Sequence, residues 1–259
     1  MFSLEGRVAL ITGAASGIGS ATARIFAQAG ASLALGWYPP DGHSMEEVLE
    51  SIEPFGRPVV TEEIDVRSRA DLARLASRAI STFGSLDIVV ANAGIARREP
   101  VPEEVSEDDW ALIQDVNVGG VWRTFQEAIP HMRRQGYGRL LATTSVSGPI
   151  QAWVEHTSYA ASKGALVGMI QSLAVEMGPC GITVNGVAPG VVATPQSLDP
   201  INSLGPEGVA SQAAGTPVRR VGTPEDIGAA FLYLASAEAS FVTGHVIVAD
   251  GGRWLSGSE

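Results

Sequence analysis

The 259 residues hold 28 acidic and 17 basic side chains, and the net charge of −11 repels the phosphates of nucleic acid. Hydrophobic residues at 45% and charged ones at 17% describe a folded globular chain, long enough for one substantial core, rather than a disordered one. Cys180 is the only cysteine, so no internal disulfide forms; with no secretory leader and no run of about eighteen apolar residues, a cytoplasmic protein without membrane contact is expected.

Val8 to Ile11 is an apolar run ending at Thr12-Gly13, the pattern of a buried strand. A helix is predicted over Ser20 to Ala29, stopped by Gly30, and a second strand over Ser32 to Leu35. Val59 to Asp65 reads as a third strand, Asp71 to Phe83 as a helix, and Leu86 to Val90 as a fourth strand. Ser106, followed by acids at 107 to 109, opens a helix predicted to reach Val118. A fifth strand (Gly138 to Thr143), a long helix (Ser158 to Met177) and a sixth strand (Ile182 to Val187) follow. Thr223-Pro224 starts a helix ending near Leu234, and His245 to Val248 is the last strand. Apolar strands alternating with helices predict an α/β fold in which a parallel sheet is covered on both faces. No linker or repeat divides the chain, so one domain over 1–259 is expected. Only Val191 to Val218 lacks a clear period; such a segment inside a compact domain reads as a substrate-binding loop or lid.

Two motifs carry chemistry. Thr12-Gly13-Ala14-Ala15-Ser16-Gly17-Ile18-Gly19 joins the first strand to the first helix. There glycines permit a tight turn, and the helix N-terminus offers free N–H groups to a phosphate. Its spacing differs from the commonest dinucleotide fingerprint, and a structural turn is the rival reading. Tyr159 and Lys163, four residues apart, share a helix face. An adjacent ammonium lowers a phenol pKa of about 10 by roughly one to three units, giving an acid–base group near neutral pH. His131, His156 and His245 are scattered, so no metal site is expected.

Thr12-Gly-x3-Gly17-x-Gly19, Asn92-Ala93-Gly94, Asn117, Ser145, Tyr159-x3-Lys163, Pro189-Gly190 and the closing Thr243-Gly244-His245 and Asp250-Gly251-Gly252 resemble, in this order, the short-chain dehydrogenase/reductase family. They match its compact branch of about 250 residues over essentially the whole chain. The resemblance implies a Rossmann-type doubly wound sheet of about seven strands, an NAD(P) cofactor and a homotetramer or homodimer. It implies that Gly13, Ser16, Gly17, Ile18 and Gly19 line the pyrophosphate. Asp65 and Val66 would face the adenine, with a helix-capping or turn carboxylate as the rival reading of Asp65. Asn92, Ala93 and Gly94 would border the cofactor. Pro189, Gly190, Val192 and Thr194 would form the loop beside the nicotinamide.

Where NAD-preferring relatives usually carry Asp this chain has Trp37, and where NADP-preferring relatives place Arg it has Tyr38 or Ser16. Either aromatic stacks on adenine or covers the sheet edge; with the repelling Asp gone, the reading leans to NADP(H).

The resemblance assigns catalysis to Asn117, Ser145, Tyr159 and Lys163. Tyr159 exchanges the proton and Ser145 holds the carbonyl oxygen, with Ser147 as a rival one register away. Lys163 bonds the nicotinamide ribose, and Asn117 supports a proton relay through a helix distortion, unless it is simply a mid-helix polar residue. Ser145, Ser147, Trp153 and Tyr159 would meet the substrate. Pro149, Ile150, Trp153 and Val154 suggest an apolar, aromatic-lined pocket, although Trp153 equally suits an interface. Arg97 and Arg98 suit an anionic group or plain solvation. The function expected is hydride transfer between nicotinamide and a secondary alcohol or ketone (3-oxoacyl, sugar, steroid or other small carbonyl). The alternative is a catalytically silent NAD(P)-binding redox sensor. A sugar-nucleotide epimerase of the longer branch would need a further C-terminal domain, which this chain is not expected to hold.

Overall fold

The computed structural model describes residues 2–255; Met1 and residues 256–259, the ends of the expected 1–259 domain, lie outside the described residues. Seven parallel strands form one sheet in the order β3-β2-β1-β4-β5-β6-β7. They are β1 Val8–Thr12, β2 Ser32–Trp37, β3 Val59–Glu63, β4 Ile88–Ala91, β5 Gly138–Thr143, β6 Ile182–Pro189 and β7 Val246–Ala249. The helices are α1 Gly17–Gln28, α2 Met45–Ile52, α3 Arg69–Phe83, α4 Glu107–Gln114, α5 Gly120–Gln135, α6 Thr157–Met177, α7 Pro195–Leu198, α8 Gly205–Ser211 and α9 Pro224–Ala235. This is the doubly wound parallel sheet that the alternation predicts.

Each inner strand is apolar throughout because both of its faces are covered. Val8 and Leu10 of β1 pack with Leu72 and Leu75 of α3, Phe125 of α5 and Leu166 and Ile170 of α6. Ala9 and Ile11 of the same strand point the other way, to Phe26 of α1, Val48 and Ile52 of α2 and Phe231 of α9. Period-two alternation thus assigns one strand to two cores. The chain enters at β1, winds outward to β3, then returns to lay β4 on the other side of β1. At that reversal the loops leaving the C-terminal ends of β1 and β4 diverge and leave a crevice.

The structure differs from the sequence reading in three places. The helix expected to end at Val118 stops at Gln114, loosens into a π turn over Asp115–Gly119, and continues as α5. Gly119-Gly120 and Pro130 hid α5, because glycine and proline ordinarily punctuate helices. Here Gly120 is needed for close approach, since a Cβ on it would lie 2.8 Å from Val66 Cγ2. Helix α2 was not foreseen, and the 191–218 segment holds α7 and α8. Several ends move by a residue or two, as for β3, which stops before Asp65.

Phe125 is fully buried at the contact of α5 with the sheet. Phe125→Ala should lower stability by about 3–5 kcal/mol, read as a fall in the urea midpoint at unchanged slope.

Candidate active site

A cleft of about 1320 Å³ runs across the C-terminal ends of the strands. Gly13 leaves β1 at φ +63, and a Cβ there would sit 2.9 Å from Ala93 Cα, so the glycine turn and the Asn92–Gly94 segment touch. Asn92 joins three strand ends. Its Nδ2 donates to the carbonyls of Thr12 and Gly13, each at 3.2 Å, while its Oδ1 accepts from Thr143 Oγ1 at 2.9 Å. The N-terminus of α1 opens on this cradle with no side-chain cap from Ser16 and no acidic residue in its first turn. Uncapped amides at the positive end of a helix dipole are an anion site in waiting.

Gly13, Ser16, Gly17 and Ile18 line the cleft, as expected, but Gly19 does not. A Cβ on Gly19 would overlap the Gly13 carbonyl, so this glycine lets the helix pack on the turn. That corrects its expected place on the pyrophosphate.

The far end of the cleft is lined by Trp37, Tyr38, Asp65 and Val66, all expected, and by Asp41, His43 and Arg67, which sequence reasoning missed. Asp65 caps nothing. Its carboxylate grips Arg67, accepting from Nε at 2.9 Å and from an Nη at 2.6 Å, and that bond lowers its pKa. Ser68 caps α3 instead, accepting from the Asp71 amide. Asp41 has its pKa raised by desolvation, against the pull of His43 and with a further push from Asp65. The signal for Arg67 was a cation two residues past a carboxylate; for Asp41 the sequence offered only a turn.

At the other end, β5 delivers Ser145 and α6 delivers Tyr159 and Lys163, with all three buried and all three on the cleft wall. The Ser145 hydroxyl hydrogen-bonds the Tyr159 phenol. Ser147 also lines the cleft, and its amide donates to Ser145 Oγ at 3.0 Å. Trp153 meets Tyr159 edge-on at 5.4 Å and 89°, and stacks on His156 at 3.6 Å and 7°. His156 therefore belongs to the wall.

Lys163 Nζ donates to the Thr143 carbonyl at 2.9 Å and stands 5.6 Å from the Tyr159 ring centre. This corrects the expected fall in the phenol pKa. Burial raises Tyr159 and outweighs the Ser145 hydrogen bond, while burial pushes Lys163 down to about 8. Desolvation disfavours the charged form of each, and Lys163 spends its proton on a backbone carbonyl.

Asn117 sits in the π turn, fully buried and off the cleft. Its Oδ1 accepts from the Ile95 amide at 2.8 Å, and its Nδ2 donates to the Ile95 carbonyl at 2.9 Å and to Ser162 Oγ at 3.0 Å. The expected helix distortion is present, and the side chain ties the β4 loop to α6. A Cβ on Gly94 would come 3.2 Å from Asn117 Oδ1 and 3.4 Å from Lys163 Nζ, so this floor is closely packed.

Pro189, Gly190, Val192 and Thr194 line the cleft opposite. Thr194 caps α7, and its methyl would lie 3.3 Å from a Cβ on Gly17, so this loop closes against the glycine turn. Arg97 and Arg98 also border the cleft but are paired with Asp109 and Glu155. Among the described residues no group of three or more His, Cys, Asp or Glu is placed to hold a metal.

The cleft thus joins an anion cradle, a flat-walled end and a buried hydroxyl–phenol–ammonium set, which fits a dinucleotide whose redox ring lies near Tyr159. Residues 13–253 match a family model described as enoyl-(acyl carrier protein) reductase. Oxidoreductase UcpA of Salmonella typhimurium is 38% identical over 98% of this chain and 97% of its own. A short-chain type dehydrogenase/reductase from Mycobacterium marinum superposes with a TM-score of 0.89 at 35% identity, covering 97% of each chain. Carveol dehydrogenase from Mycobacterium avium, solved in complex with NAD, gives 0.88 at 30% identity, covering 98% of this chain and all of that one. The chain belongs to the short-chain dehydrogenase/reductase family.

Short-chain dehydrogenases/reductases are nicotinamide-dependent oxidoreductases, and the cradle at Gly13 to Ile18 has the shape and polarity for that cofactor. In this member the buried Lys163 carries a stability cost of definite sign. Its folded pKa of about 8 lies below the unfolded value near 10.5, so the unfolded chain binds the extra proton between those values. The cost of burying the ammonium is therefore complete below pH 8 and disappears as the pH rises towards 10.5. Lys163→Met should raise stability at pH 7 by about 1–2 kcal/mol after the lost Thr143 bond, and the gain should shrink in thermal melts above pH 8.

Proposed function

We propose that this dehydrogenase/reductase interconverts a small secondary alcohol and its ketone, with Tyr159 as the acid–base group. The observation that carries the reading is the buried Ser145–Tyr159–Lys163 set at the end of a dinucleotide cradle. The bound nicotinamide supplies or accepts the hydride. In reduction Tyr159 Oη gives its proton to the carbonyl oxygen as the carbon gains hydride; in oxidation it takes that proton back. A phenol held neutral by burial is ready to donate, and the Ser145 hydroxyl beside it can hold the same oxygen as its charge grows. Lys163, poised near neutral pH, bonds the nicotinamide ribose and returns a proton to Tyr159, and Asn117 keeps α6 and the β4 loop in register for it. Gly13, Ser16, Gly17 and Ile18 hold the pyrophosphate, and Pro189, Gly190, Val192 and Thr194 the carboxamide end.

The residues at the adenosine end favour NAD(H), against the leaning towards NADP(H). Asp65 already occupies the Arg67 guanidinium, which leaves Asp41 as a carboxylate facing any 2′-phosphate. Trp153 and His156 give the substrate end an aromatic wall suited to an alicyclic or aromatic ring, in keeping with the relative named carveol dehydrogenase. Residues 191–218, with α7 and α8, act as the lid of a single domain. Assembly as a homotetramer or homodimer is supported by the exposed Trp110 and Trp122 of α4 and α5. No helix among the described residues is long and apolar enough to cross a membrane, which agrees with a cytoplasmic site of action.

Tyr159→Phe should lower kcat by about a hundredfold to ten-thousandfold, with the NADH dissociation constant within about twofold of wild type. Retained turnover would overturn the assignment, and tight NADH binding with no turnover on a broad alcohol and carbonyl panel would favour the redox sensor. Steady-state kinetics should give NAD(H) at least about a tenfold higher kcat/KM than NADP(H), a ratio that Asp41→Ser should narrow severalfold.

A further inference from the structure

Helix α6 carries both Tyr159 and Lys163, yet its own sequence leaves its first turn uncapped. His156, at the cap position, bonds none of the first amides through its side chain, and no acidic residue stands in that turn. Those amides lack partners within the helix and carry the positive end of its dipole. The partner comes from the loop after β4. Glu99 Oε2 accepts from the Ser158 amide at 3.0 Å, one residue before Tyr159.

Glu99 is only 7% exposed, and its Oε1 has no partner among the described residues. A buried carboxylate is costly unless something compensates it, and here the Ser158 amide and the helix dipole do so. The seat is built from several directions. The Glu99 amide donates to the Glu155 carbonyl at 2.7 Å. Glu155 is held in turn by the Arg98 guanidinium and sits at φ 63, in the left-handed region that side chains avoid. Gln114 Nε2 of α4 donates to the Ser158 carbonyl at 3.0 Å, so the same residue is gripped at both ends of its backbone. Charged or titratable groups near this helix end include the Arg98–Glu155 pair, His156 at the cap position and, on α6 itself, Tyr159 and Lys163.

We propose that Glu99 is a positioning residue, capping α6 from the β4 loop and thereby setting the Tyr159 phenol against Ser145 and the substrate oxygen. It is not among the residues lining the cleft, so it acts through Ser158. The proposal rests on Tyr159 being the acid–base group. A displacement of about an ångström at the reacting geometry costs on the order of a hundredfold in rate, and a cap one residue away controls that distance.

The test compares Glu99→Ala and Glu99→Gln in the full-length enzyme. Glu99→Ala should lose about tenfold to a hundredfold in kcat, with the substrate KM and the NADH dissociation constant within about twofold. Amide hydrogen exchange should quicken in the peptide spanning the first turn of α6 and stay unchanged in α1 and α9. Glu99→Gln, whose amide oxygen still accepts from Ser158, should recover kcat to within about threefold and restore the exchange protection. If Glu99→Ala does not fold, Glu99→Asp, one methylene too short, should show the same split at about tenfold. Wild-type kcat and exchange in Glu99→Ala would overturn the proposal. So would a loss of kcat matched by equal loss of NADH affinity, or a Gln variant no better than Ala. Should the wild type turn over no alcohol or carbonyl, the dehydrogenase reading fails, while the exchange data still decide whether Glu99 caps the helix.

Discussion

Asn92 holds together the strand ends on which the cleft is built. The order of strands reverses between β1 and β4, and a sheet that diverges there needs something to fix the gap. One carboxamide does so, donating to Thr12 and Gly13 on the β1 side and accepting from Thr143 on the β5 side. The Thr12 hydroxyl completes the tie by accepting from the amides of Asn92 and Ala93. The glycine turn, the floor at Gly94 and the carbonyl that receives Lys163 are therefore positioned relative to one another by a single network. A packed core could hold the strands, but only directional bonds fix the angle at which their ends open.

Burial is the second constraint. Two face-packed cores flank the cleft, and there the phenol and ammonium of α6 are kept out of water. That drives both towards their neutral forms, opposite in sign to what a solvated Tyr–Lys pair would show. The same helix end relies on a borrowed cap, so the chemistry of the cleft depends on the loop after β4 as much as on its own helix.

The alternation of strands and helices was plain in the sequence because strands covered on both faces are unbroken apolar runs. Val8 to Thr12 and Gly138 to Thr143 show this most clearly. Most of the residues expected at the site and found lining the cleft were also legible, since glycines at fixed spacing and a Tyr-x3-Lys pair stand out as local patterns. Helix α5 was hidden because Gly120, its first residue, serves a contact with Val66, not a break. Gly19 was misplaced for a similar reason: spacing shows that a glycine is needed but not whether ligand or backbone fills the space. Asp41 offered only a turn, Arg67 only a cation two residues past a carboxylate and His156 only a position three residues before Tyr159, because their meaning lies in which cleft wall they share.

By itself the sequence determined the fold class, the family and the local motifs, all of which depend on periodicity and spacing along the chain. The tertiary structure decided the rest. It set the Ser147 amide on the Ser145 hydroxyl, and it set the direction of the Tyr159 pKa through burial. It also brought Glu99 beneath a helix that begins more than fifty residues later. Each of these depends on solvent exclusion or on a directional contact between distant residues, and neither is written in the spacing of the residues concerned.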